Sequence, residues 1–388
     1  MIDTVILTIP KAKVRKPYHE EWGVGWELQS QSVGYKKYVR NATKAEKEAG
    51  TYVPRLTLIY RGANEANVKI EFSVPKLLWG NNVDEVSNKD FATVVTTLRE
   101  RLATMNLDLN WSDIANAQVQ GVHFCKNIFL QDGYTAQYVI SELAKINSRR
   151  TLDATKCRYM NDGQSFCIYS NTHSFIAYDK VADLNRDPKR AIDKDQTPLQ
   201  QSLFDALKPT TTEIVRFEAR FPKQRSVNEM MEKIGYKPSP TFQTVFKSTI
   251  SAKALAWYWD KYVAPYSLTL FSPALGPKEL FTDIIRSAPK TKPKEAIFET
   301  GLLILCRDED GIRQLRAMFG RRMQDRSWYR ITANLKGLQG RLAKTGKREW
   351  FTMVEQELKK PAYKRYSSGS GFNWKPAEKG YTPRKNKR

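Results

Sequence analysis

A run of nine residues, Glu213 to Phe221, constrains the fold more than any other stretch and has the sequence EIVRFEARF. Its apolar side chains fall at every second position, which predicts a β-strand with one face against a core. The other face, predicted to be exposed, carries Glu218 between Arg216 and Arg220. Guanidinium groups favour the ionised form of a neighbouring carboxyl group. Such a face suits a site for a metal and a phosphate, and it equally suits a surface ladder of salt bridges.

Charge is the strongest signal in the composition. The 388 residues include 64 Lys and Arg against 41 Asp and Glu, which gives a net charge of +23. A surplus of this size predicts a polyanionic partner, most simply nucleic acid, with a membrane surface as the alternative. No apolar run approaches the roughly 20 residues that a membrane span needs, and the opening MIDTVILTIP is predicted to be a first strand and not a signal peptide.

The cysteines give no sign of a disulfide framework or a zinc site. Their spacing contains no CxxC or CxxH pair, and a chain of this length does not need disulfides to fold. Reduced thiols are therefore expected at the four positions Cys125, Cys157, Cys167 and Cys306.

The pattern of elements changes near residue 225, from strand-rich to helical. The first half alternates strands with a few amphipathic helices, which predicts an α+β fold built on an antiparallel sheet with flanking helices. The second half predicts helices rich in basic residues, and the last 30 residues predict a disordered basic tail. The predicted divisions are a sheet domain over 1–225, a helical region over 226–287, a linker over 288–296, a basic helical domain over 297–358 and the tail over 359–388.

A tyrosine and a second acidic strand extend the chemistry suggested by Glu218. Glu71 lies on the polar side of a strand that runs into Pro75, where a helical turn is predicted. Tyr178 and Lys180 are predicted to share a face of the strand that contains SFIAYDK. A phenolate, a divalent metal and nearby cations are together able to break a phosphodiester by transesterification. A tyrosine on a strand is more commonly a packing residue, so the pattern alone leaves both interpretations open.

Four segments, in order, resemble the gene II/gene X family of replication initiators from filamentous phages and related plasmids. They are MIDTVILTIP at the start, VKIEFSVPKLLWGNNV from Val68 to Val83, THSFIAYDK from Thr172 to Lys180, and IVRFEARF from Ile214 to Phe221. The resemblance covers about the first 225 residues. It implies a nickase that cuts one strand of origin DNA through a phosphotyrosine intermediate, starts rolling-circle replication and later rejoins the displaced strand.

Residue by residue, the resemblance places Tyr178 at the nucleophile of the family. It also implies double-stranded origin DNA and its displaced strand as substrates, a host helicase and DNA polymerase as partners, and the cytoplasm of a bacterial host as the location. From the chemistry we predict Mg²⁺ or Mn²⁺ as the cofactor, with Glu71 and Glu218 as ligands. One departure is His123, which stands where an acidic residue is expected and is predicted either to bind the metal or to have no ligand role.

Further cations are predicted to contact DNA. Arg216 and Arg220, with Lys126 and Lys180, are candidates to hold the scissile phosphate, although a solvated lysine is the simpler interpretation. In the second half a basic surface is predicted to follow phosphates without sequence preference, with Arg316, Arg321 and Arg322 among its members. The alternative function is a non-catalytic basic DNA- or RNA-binding protein in which the glutamates form structural salt bridges.

Overall fold

The computed structural model describes residues 1–15, 26–50, 52–62, 65–130, 134–146, 156–160, 164–184, 213–266, 276–307, 311–319, 322–342, 349–361, 365–367 and 373–375. The strands of its large sheet are β1 (Ile2–Pro10), β2 (Trp26–Ser32), β3 (Tyr35–Arg40), β4 (Arg55–Arg61), β5 (Glu65–Ser73), β6 (Gln118–Phe129), β7 (Lys156–Met160), β8 (Ser165–Tyr169), β9 (Ser174–Asp179) and β10 (Ile214–Phe221). These ten described strands form one sheet in the order β2-β3-β4-β5-β1-β6-β10-β9-β8-β7, and every neighbouring pair is antiparallel.

Helices flank this sheet, so the predicted α+β class is confirmed. Those that precede or interrupt the strands are α1 (Lys44–Glu48), α2 (Val74–Trp79), α3 (Phe91–Thr104), α4 (Trp111–Ala115), α5 (Ala136–Ala144) and α6 (Lys180–Leu184). Those that follow β10 are α7 (Gln224–Lys233), α8 (Phe242–Val245), α9 (Ser248–Tyr258), α10 (Pro277–Ser287), α11 (Pro293–Arg307), α12 (Gly311–Phe319), α13 (Asp325–Arg341) and α14 (Glu349–Lys359).

The apolar face of the sheet packs against α9 and the turn that follows it, which place Tyr258 and Trp259 against β9 and β10. Phe175 of β9 stacks on Tyr258 with ring centroids 5.1 Å apart, and Phe217 of β10 contacts Trp259 edge to face at 6.0 Å. Trp259 in turn contacts Phe351 of α14 at 4.8 Å. Since aromatic side chains bury large apolar areas, these contacts join the C-terminal helix to the centre of the sheet.

Most strands and helices agree with the sequence patterns, and several elements were not predicted, β3 and α4 among them. The β3 strand forms in a basic, polar stretch whose pattern indicates a connector between strands, and α4 forms where the pattern indicates no helix. The predicted end of α2 is confirmed, because Gly80 adopts the left-handed conformation (φ 67°) that glycine tolerates best.

The proposed domain divisions stay predictions, although the packing bears on them. One buried hydrophobic cluster contains residues from β1 through α14, and α11 begins at Pro293, inside the predicted linker. Within the predicted tail the structure describes two short paired strands, β11 (Arg365–Ser367) and β12 (Asn373–Lys375), and the rest of the tail after residue 361 lies outside the described residues.

No helix within the described ranges combines the length and the apolar character that crossing a bilayer requires.

Candidate active site

A cluster of buried polar side chains lies on the face of the sheet opposite to α9, and Glu218 of β10 is at its centre. The Tyr178 hydroxyl of the neighbouring β9 donates a 2.8 Å hydrogen bond to Glu218 Oε1. Arg216 Nε donates to the same oxygen at 2.8 Å, and Arg220 Nε donates to Oε2 at 2.7 Å. One carboxylate thus contacts two guanidinium groups and one phenol. The three charged side chains predicted on the polar face of β10, those of Arg216, Glu218 and Arg220, meet there.

The polar face of β10 is buried, so the prediction of an exposed face is wrong for Arg216 and Glu218. Arg216 is 0% exposed and Glu218 is 2% exposed. The segment 80–87 after α2 covers them: the Asn82 carbonyl accepts a 2.6 Å hydrogen bond from Arg216 Nη1. Asn127 of β6 fixes this segment by donating its side-chain amide to the Val83 carbonyl at 2.9 Å. The sequence pattern of β10 alone cannot reveal this cover, because it comes from a distant part of the chain.

Asp3 of β1 completes the cluster and was not predicted to belong to it. Its Oδ2 lies 3.1 Å from Arg216 Nη2, and its Oδ1 accepts a hydrogen bond from Ser73 Oγ at 3.2 Å. Asp3 and Arg216 therefore neutralise each other in a site with little access to water. The sequence signal that could have identified Asp3 was a carboxylate inside the first of the four ordered segments.

The cluster draws on all four of those segments. The first supplies Asp3, the second supplies the Asn82 carbonyl, the third supplies Tyr178, and the fourth supplies Glu218 with its two arginines. Segments separated by up to about 200 positions in the chain thus meet within hydrogen-bonding distance.

Burial and the charges of the cluster set the protonation of Glu218 and Tyr178. Burial by itself raises the pKa of Glu218, but Arg220 and Arg216 outweigh burial and hold that pKa well below its usual range. Burial and the neighbouring Glu218 carboxylate raise the pKa of Tyr178 well above its ordinary value. Glu218 is therefore a carboxylate and Tyr178 a neutral phenol that donates to it.

Lys180 and His123 lie beside this centre. The β9 strand ends at Asp179, and Lys180 begins α6 instead of continuing the strand as predicted; its Nζ lies 5.9 Å from the centroid of the Tyr178 ring and is buried. His123 of β6 is paired in register with Arg220. Burial, reinforced by the Arg220 charge, lowers the pKa of His123 to about 4, so the imidazole is neutral near pH 7.

Two predicted residues lie away from the cluster. Glu71 of β5 is three strands from β10, about 14 Å at the usual spacing of about 4.8 Å, and its carboxylate is 3.9 Å from Arg55 Nη1. Lys126 points to the opposite face of the sheet, where its Nζ lies 3.3 Å from Glu85 Oε2 and the side chain is 2% exposed. Their predicted roles stay predictions, but this arrangement does not bring either side chain to Tyr178.

The predicted basic surface of the second half belongs to a different region. Arg316 of α12 pairs with Asp325 at 2.7 Å and lies 5.5 Å from the Trp328 ring, while Arg322 is exposed. Arg321 lies outside the described residues.

Three aromatic residues in a row, Trp257 to Trp259, lie at the end of α9. Trp259 and Tyr258 are core residues, whereas Trp257 is partly exposed. The ammonium groups of Lys233 and Lys261 lie 4.9 and 4.7 Å from the centroid of the Trp257 ring.

The predicted metal ligands do not fit a single ion in this arrangement. Glu71 and Glu218 are separated by three strands, whereas carboxylate oxygens bind Mg²⁺ at about 2.1 Å. Both Glu218 oxygens already accept hydrogen bonds from arginine. Within the described ranges, no group of three or more His, Cys, Asp and Glu side chains is arranged to hold a metal ion.

Comparison with known proteins found no matching family model, no matching curated protein and no matching solved structure.

Proposed function

We propose that this chain is a site-specific DNA nickase and ligase that initiates rolling-circle replication, with Tyr178 as the nucleophile. The observation that carries the proposal is the 2.8 Å hydrogen bond from the Tyr178 hydroxyl to Glu218, on a carboxylate that two arginines also bind. The meeting of the four family-like segments at this one cluster supports it further, as does the net charge of +23.

The geometry gives each group a chemical role. In nicking, the Tyr178 oxygen forms a bond to phosphorus while the bond from phosphorus to the 3′ oxygen breaks, which leaves a 5′ phosphotyrosine and a free 3′ hydroxyl. The phenolic proton passes to Glu218 Oε1, and the departing 3′ oxygen takes a proton from water. Glu218 then returns its proton to solvent and neutralises the hydroxide, which restores the carboxylate. Rejoining is the reverse reaction, in which a 3′ hydroxyl attacks the phosphotyrosine and the phenol is released.

The two arginines have different roles in this reaction. Arg216 is fully buried between Glu218 and Asp3 and keeps the proton acceptor ionised and oriented. The Arg220 side chain is 26% exposed, so it is the guanidinium of this pair that can reach a phosphate approaching from solvent. Positive charge aimed at phosphate oxygens stabilises the charge that develops during transfer.

In this proposal Glu218 acts as the proton acceptor of Tyr178, and a requirement for Mg²⁺ or Mn²⁺ stays a prediction. We assign no step to the metal, since the predicted ligands do not converge. The substrates are double-stranded origin DNA and its displaced single strand, the host helicase and polymerase extend the free 3′ end, and the reaction takes place in the bacterial cytoplasm.

The second candidate is a basic nucleic-acid-binding protein in which the cluster is structural. The burial of Tyr178, which is 1% exposed, favours it, because a nucleophile must meet its substrate. A buried and fully paired arginine–glutamate network is also a common structural device.

A nicking assay separates the two functions. Supercoiled plasmid carrying the origin of the replicon that encodes the chain is incubated with the protein and Mg²⁺ or Mn²⁺, with EDTA in a parallel reaction, and analysed on a denaturing gel. We expect a nick with protein attached to the 5′ end, loss of nicking with Tyr178→Phe or EDTA, and mass-spectrometric identification of a phosphodinucleotide on Tyr178. Glu218→Gln is expected to lower the nicking rate by about 10²-fold or more while DNA binding persists.

Tyr169→Phe is the matched control, because Tyr169 lies on the adjacent β8 and on the same face of the sheet as Tyr178. Its nicking rate is expected to stay close to that of the wild type. Loss of nicking in Tyr169→Phe but not in Tyr178→Phe would show that the nucleophile is misassigned. Intact plasmid, together with tight and salt-sensitive DNA binding, would establish the second candidate instead.

A further inference from the structure

The polar face of the sheet continues away from Tyr178 onto β5, β4 and β3. On β4 and β5 the side chains of one face are buried, as for Leu56 and Leu58, whereas most of those on the other face reach solvent. Ile59 and, on β3, Val39 are buried exceptions on that second face. The solvent-facing side is the one that carries Glu71, and through β1 and β6 it is continuous with the face that carries Glu218. This part of the sheet therefore presents polar and charged side chains to solvent.

Three cations gather on that surface around Ile59 of β4. Lys37 of β3 is directly opposite Ile59 in register, and Arg61 follows two residues later on the same face. On the other side, Lys69 of β5 is opposite Thr57, two residues before Ile59. Diagonal neighbours on paired strands lie about 7–8 Å apart, within reach of long side chains.

Among the side chains that the structure describes, no ion pair joins Lys37, Arg61 or Lys69 to a carboxylate, although Glu65 lies opposite Arg61 in register. An ion pair does occur on the same face two residues from Thr57 and Lys69, where Arg55 lies 3.9 Å from Glu71. Partial burial, together with the charges of Arg61 and Lys37, lowers the pKa of Lys69. Like charges that are held together and partly desolvated favour the binding of an anion, because a negative charge relieves their repulsion.

The surroundings of the cations favour a phosphate backbone over unpaired bases. Thr57, Ile59 and Asn67 occupy the positions between them on this face. Surfaces that bind single strands combine cations with a series of aromatic rings on which successive bases stack. The three side chains between these cations offer no ring, and Tyr35 lies at the edge of the group, opposite Arg61. Separate cations spread over an open surface match the phosphates of a duplex, which lie at fixed positions along its backbone.

The position of the three cations relative to Tyr178 fits an extended DNA contact. Lys69 is three strands from Glu218 and about six residue positions further along the strands, which places it on the order of 25 Å away on the same face. Successive base pairs rise about 3.4 Å along the helix axis, so this separation corresponds to roughly seven base pairs.

We propose that Lys37, Arg61 and Lys69 form a phosphate-binding site for a double-stranded DNA arm that lies along the sheet face beside the Tyr178 cluster. The link between this site and nicking rests on the proposed function, whereas duplex binding at the three cations stands on its own geometry. The site adds affinity and orientation without reading bases, because it contacts only the backbone.

The test compares two triple variants that lose the same charge. Lys37→Gln, Arg61→Gln and Lys69→Gln are combined in one protein. The control combines Lys36→Gln, Lys47→Gln and Lys89→Gln, three exposed lysines of which Lys36 lies on the opposite face of β3. Affinity for a 30-base-pair duplex of arbitrary sequence, and for a 30-nucleotide single strand, is measured by fluorescence anisotropy from 50 to 300 mM KCl.

We expect the first variant to lose duplex affinity about tenfold or more at 150 mM KCl and to reduce the slope of log affinity against log salt by about 2–3, since each phosphate contact contributes about 0.9. The control is expected to keep a slope close to that of the wild type. As a residue-level readout, the duplex should protect Lys37 and Lys69, but not Lys36, from acetylation in the wild-type protein. Circular dichroism melting curves check that both variants are folded.

Equal slopes for the two variants, or no protection of Lys37 and Lys69, would overturn the inference. So would a loss confined to the single strand, because the site would then serve unpaired DNA. This test is independent of the nicking assay. If the wild-type protein nicks DNA but the first variant binds duplex as well as the wild type does, the proposed function stands and this inference fails. If the first variant binds duplex more weakly but the wild-type protein does not nick, this inference stands and the proposed function fails.

Discussion

At the scale of single residues, burial sets the character of the polar cluster. Arg216 and Glu218 would each be costly to bury alone, because an unpaired charge in the protein interior loses its hydration. Here Asp3, the Asn82 carbonyl and the Tyr178 hydroxyl supply the polar partners that water would otherwise supply. The same partners that make burial tolerable hold the phenol and the carboxylate in contact.

The neutral histidines predict how stability responds to pH. Burial is the main cause that lowers the pKa of both His123 and His173 to about 4, whereas an unfolded histidine has a pKa of about 6.5. Between pH 6.5 and pH 5 the unfolded chain therefore binds more protons, so stability falls as the pH falls. We expect His123→Asn to remove about half of this loss, about 2 kcal/mol by pH 5, in urea unfolding at pH 7, 6 and 5. A variant whose stability falls as steeply as that of the wild type would contradict the assignment.

At the scale of elements, β6 joins the two halves of the sheet and must change register to do so. Its pairing with β1 shifts between Ile6 and Leu7, beside Gly121. A Cβ atom at Gly121 would lie 2.9 Å from Ile6 Cδ1 and 3.2 Å from the carbonyl oxygens of Phe221 and Pro222. The backbone of β6 approaches the backbone of residues 221–222 closely here, which explains why glycine suits this position of the strand.

Gly121→Ala is therefore expected to destabilise the protein by roughly 1–3 kcal/mol, because backbone oxygens cannot move aside as a flexible side chain can. Gly301→Ala, in the middle of α11, is the matched control. A Cβ there meets no atom within 4 Å, and alanine is a better helix former by about 1 kcal/mol, so this change should be neutral or stabilising. Urea unfolding measures both, and equal effects of the two changes would argue against the close approach at Gly121.

At the scale of the whole molecule, the C-terminal helix α14 belongs to the core of the sheet. Trp350 and Phe351 are both fully buried, and the contact of Phe351 with Trp259 links α14 to the helix that packs on β10. The distinct basic C-terminal domain predicted from composition thus shares a buried core with the strands that carry Tyr178 and Glu218.

Phe351→Ala should accordingly lower the stability of β10 as well as that of α14. A loss of about 3–5 kcal/mol is expected for a large side chain removed from a packed core. Hydrogen exchange measured by mass spectrometry should show faster exchange in both elements, whereas Ile297→Ala, at a position 64% exposed, should change neither. Faster exchange in α14 with unchanged protection of β10 would show instead that the two regions fold separately.

Much of the local structure was predictable, because it depends on short-range patterns. The bounds of β8, the helix α3 and the end of α2 at Gly80 follow from alternation, from spacings of three and four residues and from a glycine in a left-handed turn. The β3 strand was not predicted, because its lysine-rich sequence has no clean alternation and the strand forms by pairing with β2 and β4.

The sequence by itself determined that Glu218 lies on one face of a strand between two arginines, since side chains two residues apart on a strand point the same way. Only the tertiary structure decided that this face is buried, that Tyr178 and Asp3 contact it, and that Glu71 and Lys126 lie elsewhere. The physical reason is that burial and contact depend on which distant segment covers a strand. The partners of β10 come from β1, β9 and the segment 80–87, and their positions are set by the packing of the whole sheet.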